Sequence, residues 1–189
     1  AEEVEKRGLR NRVRLERGIF GAEPHTPKMR ERFEELLGLK DSFDIVGMTE
    51  LYGPGTGLEC VAHHGIHYWA DLYILEILDP ETLRPVAPGE IGEMVVTSLC
   101  KEAAPLIRYR TRDLTRLIEG DCACGVTLPR HDKILGRSDD MIIVRGVNVY
   151  PGQVAEVLGR FPELSSEYQI VLTRVDGKDY MAVNVERAE

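Results

Sequence analysis

Gly136-Arg137-Ser138-Asp139-Asp140-Met141-Ile142-Ile143-Val144-Arg145-Gly146-Val147-Asn148-Val149-Tyr150-Pro151 is the stretch around which the chain is organised. Its first part sets an arginine and two acids in a polar turn behind a glycine. Met141-Ile142-Ile143-Val144 is then an apolar run that favours β structure, and Arg145-Gly146 closes it. A second short run, residues 147–150, stops at Pro151, which suits the first turn of a helix because no amide hydrogen is needed there. A charged turn, a strand, a glycine break and a helix start mark a junction between two differently built regions. The stretch reads as a hinge.

Upstream of it, residues 2–12 are charged and helical in pattern. Residues 13–21 alternate loosely through Val13, Leu15, Ile19 and Phe20 and predict a strand. Thr26 is a good N-cap and Pro27 a good first residue for a helix to about Leu37, with Phe33, Leu36 and Leu37 as its buried stripe and Gly38 as its stop. Residues 42–46 predict a second strand. It leads into a glycine-rich loop, Gly47-Met48-Thr49-Glu50-Leu51-Tyr52-Gly53-Pro54-Gly55, where an open α/β sheet binds ligands. From Ile66 the pattern changes to short strands at 66–68, 72–78, 93–99 and 114–118, an antiparallel meander with barrel-like character. Beyond the hinge, 152–161 predicts a helix, and 168–174 and 180–186 pair around Val175-Asp176-Gly177-Lys178. A helix with two strands buries little, so this last region reads as unfinished.

The composition narrows the function. The chain has 189 residues, 43% hydrophobic and 30% charged, with a net charge of −8. That is enough to bury a core, and the charge argues against nucleic acid as the main partner. No apolar run is long enough to span a membrane. The first residues lack the apolar core of a signal peptide, so a cytoplasmic setting with reduced cysteines is expected.

Three polar stretches could carry chemistry. In Met48-Thr49-Glu50 a hydroxyl can donate to a phosphate oxygen and a carboxylate can hold Mg²⁺, although a plain Thr/Glu turn has the same lettering. In Arg108-Tyr109-Arg110-Thr111-Arg112-Asp113 the acid could accept two ribose hydroxyls, or the stretch could be an exposed strand end with local ion pairs. Gly136-Arg137-Ser138-Asp139-Asp140, taken alone, could be a solvated turn. His25 and His131 are expected to be solvated loop residues, Trp69 and Tyr68 to be sheet packing, and Cys100 to be core.

In their order and style these stretches, together with Gly21-Ala22-Glu23-Pro24 and Lys101-Glu102-Ala103-Ala104-Pro105-Leu106-Ile107-Arg108, resemble the phenylacetate–coenzyme A ligase family of the adenylate-forming superfamily. The resemblance covers nearly the whole chain. It implies an α/β fold: part of a large AMP-binding domain over 1–136, with an α/β part over 1–58 and a β-rich subdomain over 59–136. A hinge and the start of a small α+β lid domain follow over 137–189. It implies an ATP-dependent ligase that adenylates an aryl or acyl carboxylic acid and passes it to coenzyme A, releasing pyrophosphate and AMP. Thr49 would meet the α-phosphate and Glu50 the magnesium. Asp113 would hold the ribose with Arg137 nearby, Gly21, Ala22 and Glu23 would border adenine, and Tyr52 would lie against adenine or the acyl pocket. Asp139 would be the hinge residue. The family's phosphate loop and adenylation lysine have no counterpart here, so the chain alone is expected not to turn over. A synthetase acting on a deazaflavin cofactor or a carrier, or a non-catalytic zinc-stapled module, is the alternative, and a homodimer is left open.

The remaining signal is metallic. Cys122-Ala123-Cys124-Gly125 places two thiols on one tight turn, and Cys60 lies near His63, His64 and His67 in sequence, the outline of a tetrahedral zinc site or simply a set of reduced thiols. Some members of the family share a Cys…His segment followed by Cys-x-Cys-Gly. The resemblance implies structural zinc at Cys60, His67, Cys122 and Cys124, with His63 or His64 as substitutes for His67.

Overall fold

The structure is a computed structural model that describes residues 1–22, 25–161 and 163–188. Helix α1 (Glu2–Lys6) and a 3-10 turn (Arg10–Arg12) open the chain, and strand β1 (Arg17–Phe20) occupies only the end of the alternating run. Helix α2 (Pro27–Leu37) is set by local chemistry. The Thr26 hydroxyl accepts from the Met29 N–H at 3.2 Å, Pro27 takes the first turn, and Gly38 ends the helix with φ of +70°. Its face toward the protein carries buried Leu36 and half-buried Phe33 and Leu37.

Strand β2 (Asp41–Met48) runs parallel to β1, with Arg17 opposite Asp41 and Phe20 opposite Asp44. The glycine-rich loop of the sequence reading is mostly not a loop. Only residues 49–52 turn, and β3 (Gly53–Glu59) returns antiparallel to β2. Glycine serves close approach here rather than flexibility. A Cβ on Gly47 would stand 2.4 Å from the Gly53 carbonyl oxygen, and one on Gly57 would stand 2.9 Å from that of His67.

The expected meander is present as β4 (Ile66–Tyr68), β5 (Tyr73–Leu78), β6 (Gly92–Ser98), β7 (Tyr109–Thr115) and β8 (Leu117–Ile118). Two short strands that the sequence hid, β9 (Arg130–His131) and β10 (Gly136–Arg137), complete two sheets. One is ordered β1-β2-β3-β4-β9-β8 and the other β10-β7-β6-β5. Among the described residues neither closes into a barrel. The chain changes sheets at Arg116, between β7 and β8, so the two sheets share a corner. Residues 58 and 59, where the sequence reading divided the large domain, both lie in β3. The first sheet is continuous across them. The hinge stretch forms a hairpin of β11 (Ile142–Val144) and β12 (Val147–Val149), turned at Arg145 and Gly146 with φ of +50° and +80°. Helix α3 (Pro151–Leu158) follows. A long hairpin of β13 (Leu164–Val175) and β14 (Lys178–Arg187) comes last, turned at Asp176-Gly177.

The core joins the two sheets. Tyr68 from β4, Tyr73, Leu75 and Ile77 from β5, Met94 and Val96 from β6, and Leu51 from the β2–β3 turn form one buried cluster, with Met48 and Trp69 packed against it. Each such side chain contributes about 1.5–3 kcal/mol on burial. Three expectations are corrected here. His131 is 1% exposed in β9, where burial pushes its pKa down to about 4 and keeps it neutral, its Nδ1 lying 2.6 Å from the Asp132 carbonyl. His25 is not a free loop side chain but lies 3.1 Å from Asp44. Cys100 is exposed beyond the end of β6 rather than in the core, because the strand ends at Ser98.

Gly47→Ala should therefore lower stability by roughly 2 kcal/mol or more, since the clash is with backbone that cannot rotate away. A denaturant midpoint equal to wild type would show that the hairpin has slack at this point.

Candidate functional site

Strand β7 is where the polar stretches meet. It pairs with β6 through Glu93–Leu114 and Val95–Arg110, so the register slips between them and β7 bulges at residues 111–113. Thr111 knits the bulge, its hydroxyl donating to the Met94 carbonyl at 3.0 Å and accepting from the Asp113 N–H at 3.0 Å. Arg112 takes a left-handed φ of +71°, a conformation that costs roughly 1–2 kcal/mol in a non-glycine residue. Such a bulge re-aims the side chains beside it, and here it presents Asp113.

The two-residue strand β10 pairs Arg137 with Asp113 and Gly136 with Leu114. Arg137 donates to the Asp113 carboxylate at 3.1 Å, to the Thr111 carbonyl at 3.4 Å, and in a two-point grip to Asp139 at 3.0 Å for both bonds. Burial pushes the Asp113 carboxyl above its usual range even with Arg137 beside it. Asp139 is held below its usual range, first by its hydrogen bond from Arg137. Beneath this group lies Glu93, fully buried. It accepts from Arg110 at 2.9 and 2.5 Å, lies 3.8 Å from Arg112, and meets the Ser138 hydroxyl at 3.4 Å. Burial alone would raise its pKa, but the Arg110 hydrogen bonds and charge outweigh that and leave it low.

The β2–β3 turn is anchored from below by Leu51, 3% exposed, while Thr49, Glu50 and Tyr52 stand on the surface. It meets β7 through Glu50, whose carboxylate accepts from the Tyr109 hydroxyl at 3.4 Å, and Lys101 donates to the Glu50 carbonyl. Burial and the Glu50 charge raise the Tyr109 pKa, so its hydroxyl keeps its proton. Gly21 and Ala22 leave the carboxyl end of β1 beside Ile45, at the sheet end toward which parallel β2 also runs. A Cβ on Gly21 would stand 2.5 Å from the Ile45 carbonyl oxygen, and Ala22 has a left-handed φ of +72°. Glu23 lies outside the described residues. Glu50, Asp113, Arg137 and Asp139 are thus brought to one strand and its neighbours, with Thr49 in the same turn as Glu50. Lys101, Tyr109 and Glu93 were not singled out from sequence. The first two stood inside quoted motifs, and the third had only a lone acid in an apolar strand as its signal. A cavity of about 270 Å³ lined by Ile77, Leu78, Val86 and Leu117, and one of about 380 Å³ lined by His64, Arg116, Ile118 and Asp132, lie elsewhere.

A second cluster joins β3, β4 and the loop after β8. The donor atoms of Cys60, His67, Cys122 and Cys124 all lie within 4.8 Å of one another. Cys60 and Cys122 sulfurs are 3.6 Å apart, and the Cys124 sulfur is 3.4 Å from His67 Nε2. Tetrahedral zinc bonds of ~2.3 Å to sulfur and ~2.0 Å to nitrogen set edges of about 3.5–3.8 Å, so the spacing fits zinc. His67 Nδ1 lies 2.9 Å from the Leu128 carbonyl, which fixes that nitrogen as the donor and turns the Nε2 lone pair to the thiols. The Cys122 thiol is pulled down to about 6, first by the Cys124 backbone N–H, whereas burial pushes Cys60 up. His63 points elsewhere, 3.0 Å from Asp41 and stacked on Phe43, and His64 Nδ1 lies 3.3 Å from Arg130.

Residues 146–189 match the family of AMP-binding enzyme C-terminal domains. The whole fold superposes on 2-hydroxyisobutyryl-CoA ligase in the postadenylation state, in complex with 2-HIB-AMP, with a TM-score of 0.87 and 31% identity, covering all of this chain and 40% of that one. Against the same enzyme in the thioesterification state the TM-score is 0.65, at 30% identity, covering 99% of this chain and 40% of that one. The architecture is that of the C-terminal region of adenylate-forming CoA ligases.

Within that class the sequence is specific. It is 47% identical over 191 residues to phenylacetate-coenzyme A ligase of Thermus thermophilus and 45% identical over 191 residues to that of Escherichia coli, in each case across all of this chain and 43% of the relative. The chain belongs to the phenylacetate–coenzyme A ligase family and spans less than half the length of these relatives.

Arg137→Met should move the Asp113 titration further upward, because it removes the cation that opposes the effect of burial. Carboxyl carbon NMR of Asp113 through the acid range would test this. A midpoint that stays or falls would mean that Arg137 does not govern this carboxylate.

Proposed function

We propose that this chain is the ribose-side wall and hinge of an ATP-dependent acid–thiol ligase that acts on phenylacetate or a similar aryl or acyl carboxylic acid. The observation that carries the reading is the meeting on β7 of Glu50, through Tyr109, with the Asp113–Arg137–Asp139 group. In the first half-reaction a carboxylate oxygen of the acid bonds to the α-phosphorus of ATP as the bond to pyrophosphate breaks. The acid is already ionised at neutral pH, so no general base is needed. In the second, the coenzyme A thiolate bonds to the acyl carbon and AMP leaves.

Asp113 accepts the ribose hydroxyls, with Arg137 holding its carboxylate in place. Thr49 donates its hydroxyl to the α-phosphate. Gly21, Ala22 and Glu23 border adenine, and Tyr52 lies against adenine or the acyl pocket. Glu50 is suited to Mg²⁺, since its carboxylate is exposed and held at one oxygen by Tyr109. Bound there, Mg²⁺ would neutralise phosphate charge. Asp139 is the hinge residue, in a hinge and lid start over 137–189 that follow a large-domain part over 1–136. Cys60, His67, Cys122 and Cys124 hold structural Zn²⁺, which ties β3 and β4 to the loop after β8. A cytoplasmic setting, which keeps thiols reduced, suits such a centre.

The complete enzyme should show carboxylate-dependent ATP–pyrophosphate exchange and should form a thioester only with coenzyme A. Asp113→Ala should cut the exchange by on the order of 10²-fold. An Asp113→Ala enzyme as active as wild type would remove the ribose assignment. Protein purified without chelator should contain stoichiometric zinc, and Cys124→Ser should lose both the metal and thermal stability. Metal-free wild-type protein with an unchanged melting temperature would exclude the zinc centre.

A further inference from the structure

The β2–β3 turn poses a physical problem. Thr49, Glu50 and Tyr52 are all exposed, and four residues on a surface do not by themselves hold a carboxylate in one place. Leu51 pins the turn into the core, and its N–H donates to the Met48 carbonyl at 3.1 Å. That fixes one residue of the turn and leaves Glu50 itself exposed. Among the described residues, two contacts from outside the hairpin reach Glu50. Half-buried Lys101, from the loop between β6 and β7, donates its ammonium to the Glu50 carbonyl, and the Tyr109 hydroxyl donates to Glu50 Oε1 at 3.4 Å. One holds the main chain of the residue and the other its side chain.

We propose that Lys101 and Tyr109 are positioning residues that set the Glu50 carboxylate before nucleotide and metal arrive. The assignment rests on the functional reading above only for what Glu50 then binds. The tether itself stands on the two contacts. Lys101 suits the task because its ammonium, on a long stem, spans two loops and meets a carbonyl oxygen, which can only accept. Tyr109 suits it because β7 places it at the strand start, two residues before the bulge that presents Asp113. Displacement of Tyr109 would thus disturb the metal side and the ribose side together.

The test uses the complete protein carrying Lys101→Met, Lys101→Arg or Tyr109→Phe. The first readout is hydrogen exchange in the nucleotide-free state. Lys101→Met should speed exchange at residues 49–52 by roughly 10-fold, with the rest of the sheet unchanged, and Lys101→Arg should restore most of the protection. The second is the Mg²⁺ concentration for half-maximal ATP–pyrophosphate exchange. It should rise by roughly 5-fold in Lys101→Met and Tyr109→Phe, with the rate at saturating Mg²⁺ largely retained. A Lys101→Met protein with wild-type exchange over 49–52 overturns the tether, and an unmoved Mg²⁺ dependence in an active enzyme overturns the positioning role. A wild-type enzyme without any ATP–pyrophosphate exchange would instead sink the functional reading, and the hydrogen-exchange result would still decide the tether.

Discussion

One guanidinium sits where everything in this chain converges. Arg137 belongs to a strand of two residues, and β10 would hold little by its backbone pairing to β7 alone. What fixes it is the shared cation. Asp113 takes it from the sheet side, Asp139 takes it from the turn side, and the Thr111 carbonyl fills a third direction. At this point the chain leaves β7 through an electrostatic knot. Its outer pair, Arg137 with Asp139, is exposed, and such pairs are weak, typically below about 1 kcal/mol each. Such a knot can define a geometry without locking it.

The knot depends in turn on a buried polar layer beneath it. Glu93 is fully buried, and leaving it unpaired would be costly, so Arg110 must stay with it. Arg110 and Arg112 flank Thr111 in β7, and Thr111 spans the bulge to Met94. The left-handed Arg112 is tolerated because both its neighbours are bonded across the strand, and the Ser138 N–H uses its carbonyl at 2.7 Å. Strain in the backbone, a buried acid and a bulge thus form one device whose outward product is the placement of Asp113.

What sequence alone could reveal follows from the range of each interaction. The N-cap at Thr26, the stop at Gly38 and the Asp176-Gly177 turn are local, a few residues deciding their own conformation, and each was legible. Strand β3 was not. The glycines of β3 and of the β2 end it pairs with look like loop glycines until it is seen that Gly47 and Gly57 lie against facing backbone. β9 and β10 have two residues each and leave no periodicity to read. His131 carries a polar side chain whose burial depends on a sheet assembled from distant segments. At the metal centre the Cys-x-Cys pair was visible, but the choice of His67 over His63 and His64 rests on the pairing of β4 with β3 and β9. That pairing turns His67 toward the thiols and leaves His63 to Asp41. Motif order singled out Thr49, Glu50, Asp113 and Arg137, whereas their supports, Glu93, Lys101 and Tyr109, became visible only through contacts across many residues of chain.

The likeness to one relative in two states bears on how the knot would work. The fold follows 2-hydroxyisobutyryl-CoA ligase in its postadenylation state far better than in its thioesterification state, with TM-scores of 0.87 and 0.65. A rotation beginning at Asp139 would draw that carboxylate off Arg137 while Asp113 kept its hold, because Asp113 and Arg137 are fixed to neighbouring strands and Asp139 lies beyond them. Asp139 is about half exposed, so water can replace its partner at little cost. Asp113 is mostly buried, and its loss of Arg137 would leave a charge poorly solvated. The two carboxylates on one arginine are therefore unequal by construction. The side that must stay put in the proposed reaction is the buried one, and the side that must let go is the one water can reach.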